Sequence, residues 1–203
     1  MEKKIVFCGD SITDSGRDRS DPASLGNGYV AILHEKLKNL YEDIAFTFVN
    51  AGVSGDRAAD VEKRVDADVV AQAPDIAVLL VGINDTWRRE DPFAPFDSEG
   101  FAAAYEGILS KIKGCGAKLI VVEPFLFDVP DKKRFRRVFN EELAVIRALA
   151  AKYADAFVPL DEMFAGVSQS VGIAAYSADG IHPTHRASRL IADNVIKKIR
   201  PLL

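Results

Sequence analysis

The chain carries a serine near its amino terminus and an aspartate–histidine pair near its carboxyl terminus. Ser11 lies in the turn Gly9-Asp10-Ser11-Ile12-Thr13, and the pair lies in the turn Asp179-Gly180-Ile181-His182-Pro183. A serine hydroxyl is a poor nucleophile at neutral pH unless an adjacent base removes its proton during attack. Histidine suits that role, and a carboxylate can hold the imidazole in the required tautomer. These residue types predict nucleophilic catalysis, provided that the fold brings the two turns together.

Each of these residues also has an ordinary structural explanation. Ser11 follows a predicted strand at the point where a helix begins, so it could be a helix N-cap. Asp179 and His182 could form an Asx-type turn with an exposed histidine. His185 begins the last predicted helix and could be a cap or compete for the base role, whereas His34 is predicted to be a surface or half-buried helix residue. The sequence alone leaves these alternatives open.

Gly52 and Asn84 follow the second and third predicted strands and could stabilise a negatively charged oxygen. Acyl transfer passes through a tetrahedral intermediate, and losing one donor to its oxyanion typically costs about 10²–10³ in turnover. A glycine lets its backbone N–H approach the substrate, and an asparagine amide supplies a second donor. The structural alternatives are a turn glycine and a local bond between an asparagine side chain and the backbone.

The elements that must position these residues alternate between short β-type runs and longer amphipathic stretches. The run at residues 76–81 is continuously apolar, which is typical of a parallel strand covered on both faces. The alternation predicts an α/β fold with a parallel, doubly wound sheet and helices on both sides. We predict an irregular surface loop at 88–98. The predicted strands are 4–8, 45–50, 76–81, 118–123 and 156–159, and the predicted helices are 27–40, 57–71, 98–113, 131–153 and 185–199.

Polar or glycine-rich turns follow four of the predicted strands. Parallel strands end at one edge of the sheet, and ligands of such sheets bind outside that edge. We therefore expect the turns to gather there and to form one site. They are Gly9-Asp10-Ser11, Asn50-Ala51-Gly52, Gly82-Ile83-Asn84-Asp85 and Glu123-Pro124-Phe125.

Length and composition narrow the class of protein. The 203 residues favour a single α/β domain spanning 1–203, and 48% hydrophobic with 28% charged residues is ordinary globular composition. A net charge of −4 argues against nucleic acid as the main partner. The first apolar run is too short for a signal peptide, and no stretch approaches the roughly 18 residues of a membrane span. We therefore predict a cytoplasmic protein without a membrane partner, in which Cys8 and Cys115 are buried small hydrophobes.

Taken together, these turns resemble the conserved blocks of the SGNH, or GDSL-type, hydrolases, in the correct order over nearly the whole chain. Ile12 replaces the usual leucine of the first block. The resemblance implies a three-layer α/β/α fold with a five-stranded, flavodoxin-like parallel sheet and no cofactor or metal. It also implies Ser11 as nucleophile with Asp179 and His182 as its partners. The oxyanion hole would consist of the N–H groups of Ser11 and Gly52 with the side chain of Asn84. The matching blocks are Gly9-Asp10-Ser11-Ile12, Gly52, Gly82-Ile83-Asn84-Asp85 and Asp179-Gly180-Ile181-His182.

Segments 11–17, 25–30 and 84–88 are similar to the bacterial intracellular acetylxylan esterases. That similarity implies hydrolysis of short-chain, above all acetyl, esters of carbohydrates, with a small-molecule ester as the partner and assembly into a homo-oligomer. Asp10, Trp87 and Arg88 would then bind substrate. A lone tryptophan can also simply pack in a core, so the role of Trp87 stays open here.

Two rival functions fit parts of the same pattern. A lysophospholipase or acyl-thioesterase of the same family would need a long apolar groove, whereas the segment 88–98 is mixed in polarity. A non-catalytic flavin- or phosphate-binding module could hold its anion at the first strand–helix turn. Asp10 and Asp14 would place carboxylates beside that anion, which opposes its binding.

Overall fold

Five parallel strands form one sheet in the computed structural model, which describes residues 1–89, 91 and 93–203. The strand order is β2-β1-β3-β4-β5, and every neighbouring pair is parallel. The predicted parallel sheet is confirmed, with strand ends within a few residues of those expected. The strands are β1 (Glu2–Gly9), β2 (Ala45–Gly52), β3 (Ile76–Leu80), β4 (Lys118–Val122) and β5 (Ala156–Val158).

Helices connect the strands, and the long ones match the predicted amphipathic stretches. In the segment 88–98, Glu90 and Pro92 lie outside the described residues, and the rest of it up to Asp97 forms no helix or strand. The helices are α1 (Ser11–Asp14), α2 (Tyr29–Leu40), α3 (Ala58–Asp68), α4 (Ile83–Trp87), α5 (Ser98–Gly114), α6 (Arg136–Tyr153), α7 (Leu160–Val171) and α8 (His185–Ile199).

Helix α7 was missed by the sequence analysis. Gly166, Ser168 and Ser170 lie within it, and such residues lower intrinsic helix propensity. Leu160 and Phe164 are buried on one side of the helix, so packing against the core stabilises it.

Hydrophobic cores fill both faces of the sheet, as the alternation of side chains along a strand requires. Ile5 and Phe7 of β1 belong to the core under α2 and α8, whereas Val6 and Cys8 belong to the core under α3 and α5. Helix α6 contributes side chains to both cores. The molecule therefore has the three-layer α/β/α architecture that was predicted.

The strand register brings the ends of β1, β2 and β3 level with one another. Gly9 pairs with Gly52 on one side and with Leu80 on the other. A Cβ on Gly9 would lie 2.1 Å from the Leu80 carbonyl oxygen, and a Cβ on Gly52 would lie 2.2 Å from the Asp14 nitrogen. The missing side chains let α1 pack directly on the end of the sheet, so the loops that follow these strands begin at the same edge.

The cysteines differ in their surroundings. Cys8 is buried as predicted, and burial raises the pKa of its thiol to about 11. Cys115 is only half-buried, and its Sγ–H donates to the Ile112 carbonyl at 3.0 Å. Within the described part of the chain, no helix combines the length and the apolar character needed to span a bilayer.

Candidate active site

The fold brings Ser11 and His182, which are 171 positions apart in the chain, into contact. Ser11 Oγ lies 3.1 Å from His182 Nε2, a distance at which the hydroxyl can donate to the imidazole. On the other side of the ring, Nδ1 lies 2.6 Å from Asp179 Oδ2. An imidazole that donates its Nδ1–H to Asp179 leaves Nε2 free to accept the serine proton. This geometry would allow His182 to activate Ser11 while Asp179 orients the imidazole.

Asp179 is held as a carboxylate by its own turn. Its Oδ1 accepts the backbone N–H groups of Ile181 at 2.9 Å and of His182 at 2.8 Å. Burial raises the pKa of Asp179, but the hydrogen bonds from the His182 side chain and from these backbone groups outweigh it and hold the pKa at about 2. A negative charge therefore faces the imidazole at neutral pH and can stabilise its protonated form.

Buried Ser177 stabilises the turn that carries Asp179 and His182, and the sequence analysis did not identify this role. The buried Ser177 Oγ accepts the N–H of Gly180 at 2.9 Å. It also lies 2.8 Å from the His182 carbonyl oxygen and 3.1 Å from Asp179 Oδ1, and its single proton can serve one of these acceptors at a time. A serine two positions before the aspartate of a tight turn is the local signal that could have indicated this role.

The helix cap at the first turn is Asp10, not Ser11. Asp10 Oδ1 accepts the N–H of Ile12 at 2.9 Å, so Ser11 is the first residue of α1 with its hydroxyl facing His182. Asp10 is fully buried, and burial raises its pKa to about 7. The prediction that Asp10 binds substrate is therefore wrong, because its side chain lies under the turn and out of reach of a ligand.

Gly52 does not lie where an oxyanion donor is needed. Its N–H already donates to Asn50 Oδ1 at 2.9 Å, and its missing side chain makes room for α1. Gly55, three residues later, lines the cleft beside Ser11 and has a φ of +94°. In the part of the chain that the structure describes, the Gly55 N–H donates to no other group. The prediction for Gly52 is corrected, and Gly55 takes its place as the candidate donor.

Asp14 connects the Gly55 turn to the helix that carries Ser11. Its Oδ2 accepts the Ser54 N–H at 3.0 Å and the Ser54 hydroxyl at 3.1 Å, and it pairs with Arg19 at 2.5 Å. Burial raises the pKa of Asp14, but the bonds from Arg19 and Ser54 outweigh it and lower the pKa below the usual value. The Asp14 carboxylate thus fixes the position of the Gly55 turn relative to the helix that carries Ser11.

Asn84, in the first turn of α4, presents its amide to the same cleft. The buried side chain donates one N–H to the Asp56 carbonyl at 2.9 Å, and its Oδ1 accepts the indole N–H of Trp87 at 2.9 Å. These contacts fix the amide orientation. A primary amide has two N–H groups, so one remains for a substrate oxygen.

Replacing Asn84 by alanine is expected to lower kcat for a short ester by about 10²–10³ with a smaller change in KM, because the lost donor acts on charge that develops in the transition state. Steady-state kinetics on p-nitrophenyl acetate measure the effect. Circular dichroism checks the fold, since Asn84 also bonds Asp56 and Trp87. Asn140→Ala, on an exposed part of α6, is the matched control. A variant at position 84 that keeps more than about a third of the kcat would remove Asn84 from the oxyanion hole.

The candidate groups line a single cleft of about 330 Å³. Trp87 and Arg88 border it, as the sequence analysis expected, and their contact with substrate stays a prediction. Trp87 is half-buried with Lys132 Nζ 5.6 Å from its ring centroid, so it does not belong wholly to the core. The lining residues are Ser11, Ser54, Gly55, Asn84, Trp87, Arg88 and His182.

The other histidines have different surroundings. His34 is half-buried in α2, with its ring 5.0 Å from that of Phe48. His185 is the exposed first residue of α8, and the cap of that helix is Thr184, whose Oγ1 accepts the Ala187 N–H at 3.3 Å. His182, and not His185, contacts Ser11.

Comparison with known proteins shows that the chain is similar to ester hydrolases. The model of the GDSL-like Lipase/Acylhydrolase family matches residues 7–190. The acetylxylan esterase of Geobacillus stearothermophilus is 30% identical over an alignment of 207 positions, which covers 97% of this chain and 94% of that protein. Its crystal structure, under the name Axe2, superposes with a TM-score of 0.88 over the same shares of the two chains. Solved catalytic mutants of Axe2 carry alanine in place of a serine, an aspartate or a histidine.

Other relatives carry different substrate names. Esterase TesA of Pseudomonas aeruginosa is 30% identical over 202 residues, covering 98% of this chain and 89% of that protein. The thioesterase 1/protease 1/lysophospholipase L1 of Escherichia coli K12 is 27% identical over 201 residues, covering 98% of this chain and 84% of that protein. Similarity alone therefore does not separate acetyl esters from thioesters and lysophospholipids.

Proposed function

This chain belongs to the GDSL-like lipase/acylhydrolase family and is a carboxylic ester hydrolase, and from that premise we propose that it hydrolyses short-chain esters, acetyl esters of carbohydrates above all. The observation that carries the proposal is the chain of contacts from Ser11 through His182 to Asp179. It joins a hydroxyl, a base and an ionised carboxylate at the edge of the cleft.

The first half of the reaction forms an acyl-enzyme. His182 Nε2 takes the Ser11 proton as Oγ attacks the ester carbonyl carbon, and Asp179 stabilises the imidazolium that results. The carbonyl oxygen becomes negative and accepts hydrogen bonds from the N–H groups of Ser11 and Gly55 and from the Asn84 amide. The bond to the alcohol oxygen then breaks, and His182 gives its proton to the departing alcohol.

The second half returns the enzyme to its starting state. Water occupies the place that the alcohol left, His182 takes one of its protons, and the hydroxide oxygen attacks the acyl carbon. The same donors hold the second tetrahedral oxyanion. Collapse of this intermediate breaks the bond to Ser11 Oγ, which recovers its proton from His182, and the acid leaves.

The cleft favours a short acyl group over a long one. Five of its seven lining residues have polar side chains, and its volume of about 330 Å³ is at the small end of ligand pockets. A long acyl chain would need a continuous apolar groove beside Ser11. The indole of Trp87 offers an apolar face with polar groups at its edge, which suits one side of a sugar ring.

Thioesterase or lysophospholipase activity is the second candidate, and the similarity to TesA and to the Escherichia coli enzyme is what favours it. A series of p-nitrophenyl esters separates the two. We expect kcat/KM to be highest for acetate to butyrate and to fall about tenfold or more by octanoate, because the described lining of the cleft forms no long apolar wall. Ser11→Ala provides the background rate. A preference for acyl chains of eight or more carbons would reject the short-chain proposal.

A natural-substrate panel refines the same test. Acetylated xylo-oligosaccharides, a lysophospholipid and a long-chain acyl thioester are compared at equal concentration. Release of acetate as the fastest reaction supports the carbohydrate esterase, and faster cleavage of either lipid substrate supports the alternative.

A flavin- or phosphate-binding module is disfavoured by the first turn itself. The Ile12 N–H, one of the groups of this turn that could bind the anion, is already bonded to the Asp10 carboxyl group. A flavin absorption band in the purified protein would reverse that judgement.

Several expectations from the sequence stay predictions. They are a single domain over 1–203, assembly into a homo-oligomer, a cytoplasmic location, and the lack of nucleic-acid and membrane partners.

A further inference from the structure

A positive charge lies beside the ester-binding groups of the cleft. The guanidinium of Arg88 lines the same cleft as Ser11, Gly55 and His182. Its Nη1 lies 2.6 Å from the place that a Cβ on Gly55 would occupy, so the absence of a side chain there lets the guanidinium approach the candidate donor turn. The Arg88 carbonyl accepts an N–H of Arg57 at 3.0 Å, which fixes the backbone that carries this side chain.

Among residues 1–89, 91 and 93–203, no carboxylate forms an ion pair with Arg88. None of the described residues that line the cleft carries an acidic side chain. Lys132 adds a second cation above the Trp87 ring, although Asp131 pairs with it. The described lining of the cleft therefore carries the positive charge of Arg88, in a chain whose net charge is −4. Some of the other arginines do have acidic partners, in the pairs Arg19–Asp14, Arg64–Asp56, Arg136–Asp161, Arg137–Glu141 and Arg147–Glu123.

A guanidinium in a cleft recognises a particular chemistry. It stays charged at any physiological pH and binds a carboxylate through two parallel N–H···O bonds. A neutral acetyl ester can accept hydrogen bonds from such a group but offers no negative charge to pair with it. Since the proposed acyl group is small, the remaining space beside Trp87 and Arg88 belongs to the alcohol portion of the ester.

We propose that the cleft selects acetyl esters whose alcohol portion carries a carboxylate, as in an acetylated acidic sugar, and that Arg88 binds this carboxylate. The inference rests on the proposed esterase function at Ser11 and adds the class of alcohol to it. Trp87 then packs against the alcohol portion of the ester, and Arg88 makes the enzyme prefer an alcohol portion with a negative charge.

A matched pair of aryl acetates tests the proposal. 4-Acetoxybenzoate and its methyl ester differ by the charge of one group on the alcohol portion. For each, kcat/KM is divided by the rate constant of spontaneous hydrolysis at the same pH. We expect the wild-type ratio of anionic to neutral substrate to exceed about ten, and Arg88→Gln to lower that ratio about fivefold or more. Arg88→Lys should keep an intermediate ratio, and 0.5 M NaCl should reduce the ratio of the wild type.

The control variant is Arg189→Gln, which removes one positive charge from an exposed position on α8 outside the cleft lining. It should keep the wild-type ratio. A wild-type ratio near one would overturn the proposal, and so would an Arg88→Gln variant that loses activity equally on both substrates, since that result indicates a structural role. Hydrolysis of the neutral ester that depends on Ser11 would leave the esterase function standing in either case. A wild type that cleaves neither ester would instead contradict that function.

Discussion

Replacing Ser11 by alanine is expected to lower kcat for p-nitrophenyl acetate on the order of 10⁴–10⁶-fold. The variant keeps His182, Asp179 and the oxyanion donors but has no oxygen to form the acyl-enzyme. The fold should be unaffected, because the Ser11 side chain is half-buried and contacts His182 at the surface of the cleft. Initial rates at saturating ester, corrected for spontaneous hydrolysis, measure the loss.

Ser110→Ala is the matched control for that experiment. Ser110 lies exposed on α5, and within the described part of the chain its hydroxyl bonds only the Gly107 carbonyl of its own helix, so its loss should leave turnover unchanged. If the position 11 variant turned over ester at a rate close to that of the wild type, the nucleophile would have to be another group.

Replacing Asp179 by asparagine is expected to lower kcat about 10⁴-fold while the fold persists. The amide oxygen can still accept the N–H groups of Ile181 and His182, as Asp179 Oδ1 does now. An amide nitrogen facing His182 Nδ1 would donate instead of accept, which favours the tautomer with its proton on Nε2. That nitrogen could then no longer take the Ser11 proton.

The conservative control for this change is Asp43→Asn. Asp43 is exposed at the opposite end of the sheet, where, among the described residues, only its backbone carbonyl forms a hydrogen bond. Kinetics and thermal unfolding should match the wild type. An Asp179→Asn enzyme with undiminished kcat would show that another group orients His182.

Much of the site follows from sequence because strand direction fixes where turns gather. The apolar run of β3 and the alternation of strands with amphipathic helices indicate a parallel sheet, and its carboxyl edge must carry the turns of Ser11 and Asn84. Asp179 and His182 are close in sequence, so a single tight turn can pair them. That turn contacts Ser11 because the loop that precedes α8 lies over the same edge of the sheet.

The candidate donor after β2 could not be located from the sequence. Gly52 ends β2 and pairs with Gly9, so it lies at the correct edge, but its N–H bonds Asn50 and its face packs on α1. The chain reaches the cleft only at Ser54 and Gly55, in a turn held by Asp14. The number of residues between the end of a strand and a ligand depends on the path of the loop, which local pattern does not specify.

Burial is the other property that the sequence did not reveal. Asp10 and Ser11 are adjacent, and either could cap a helix or face a ligand. The structure divides the roles, because Asp10 points into the protein and bonds Ile12 while Ser11 faces His182. Ser177 is similar, since its importance comes from bonds that exist only once the turn around Asp179 has folded.

The most direct test of the central claim is covalent labelling with a fluorophosphonate, followed by peptide mass mapping. A serine made nucleophilic by His182 attacks the phosphorus and expels fluoride, which leaves a stable adduct on Oγ. We expect one label per chain on the peptide that contains Ser11, slower labelling in Asp179→Asn, and none in Ser11→Ala. A label on Ser54, which lines the same cleft, or a wild-type protein that takes up no label, would contradict the account.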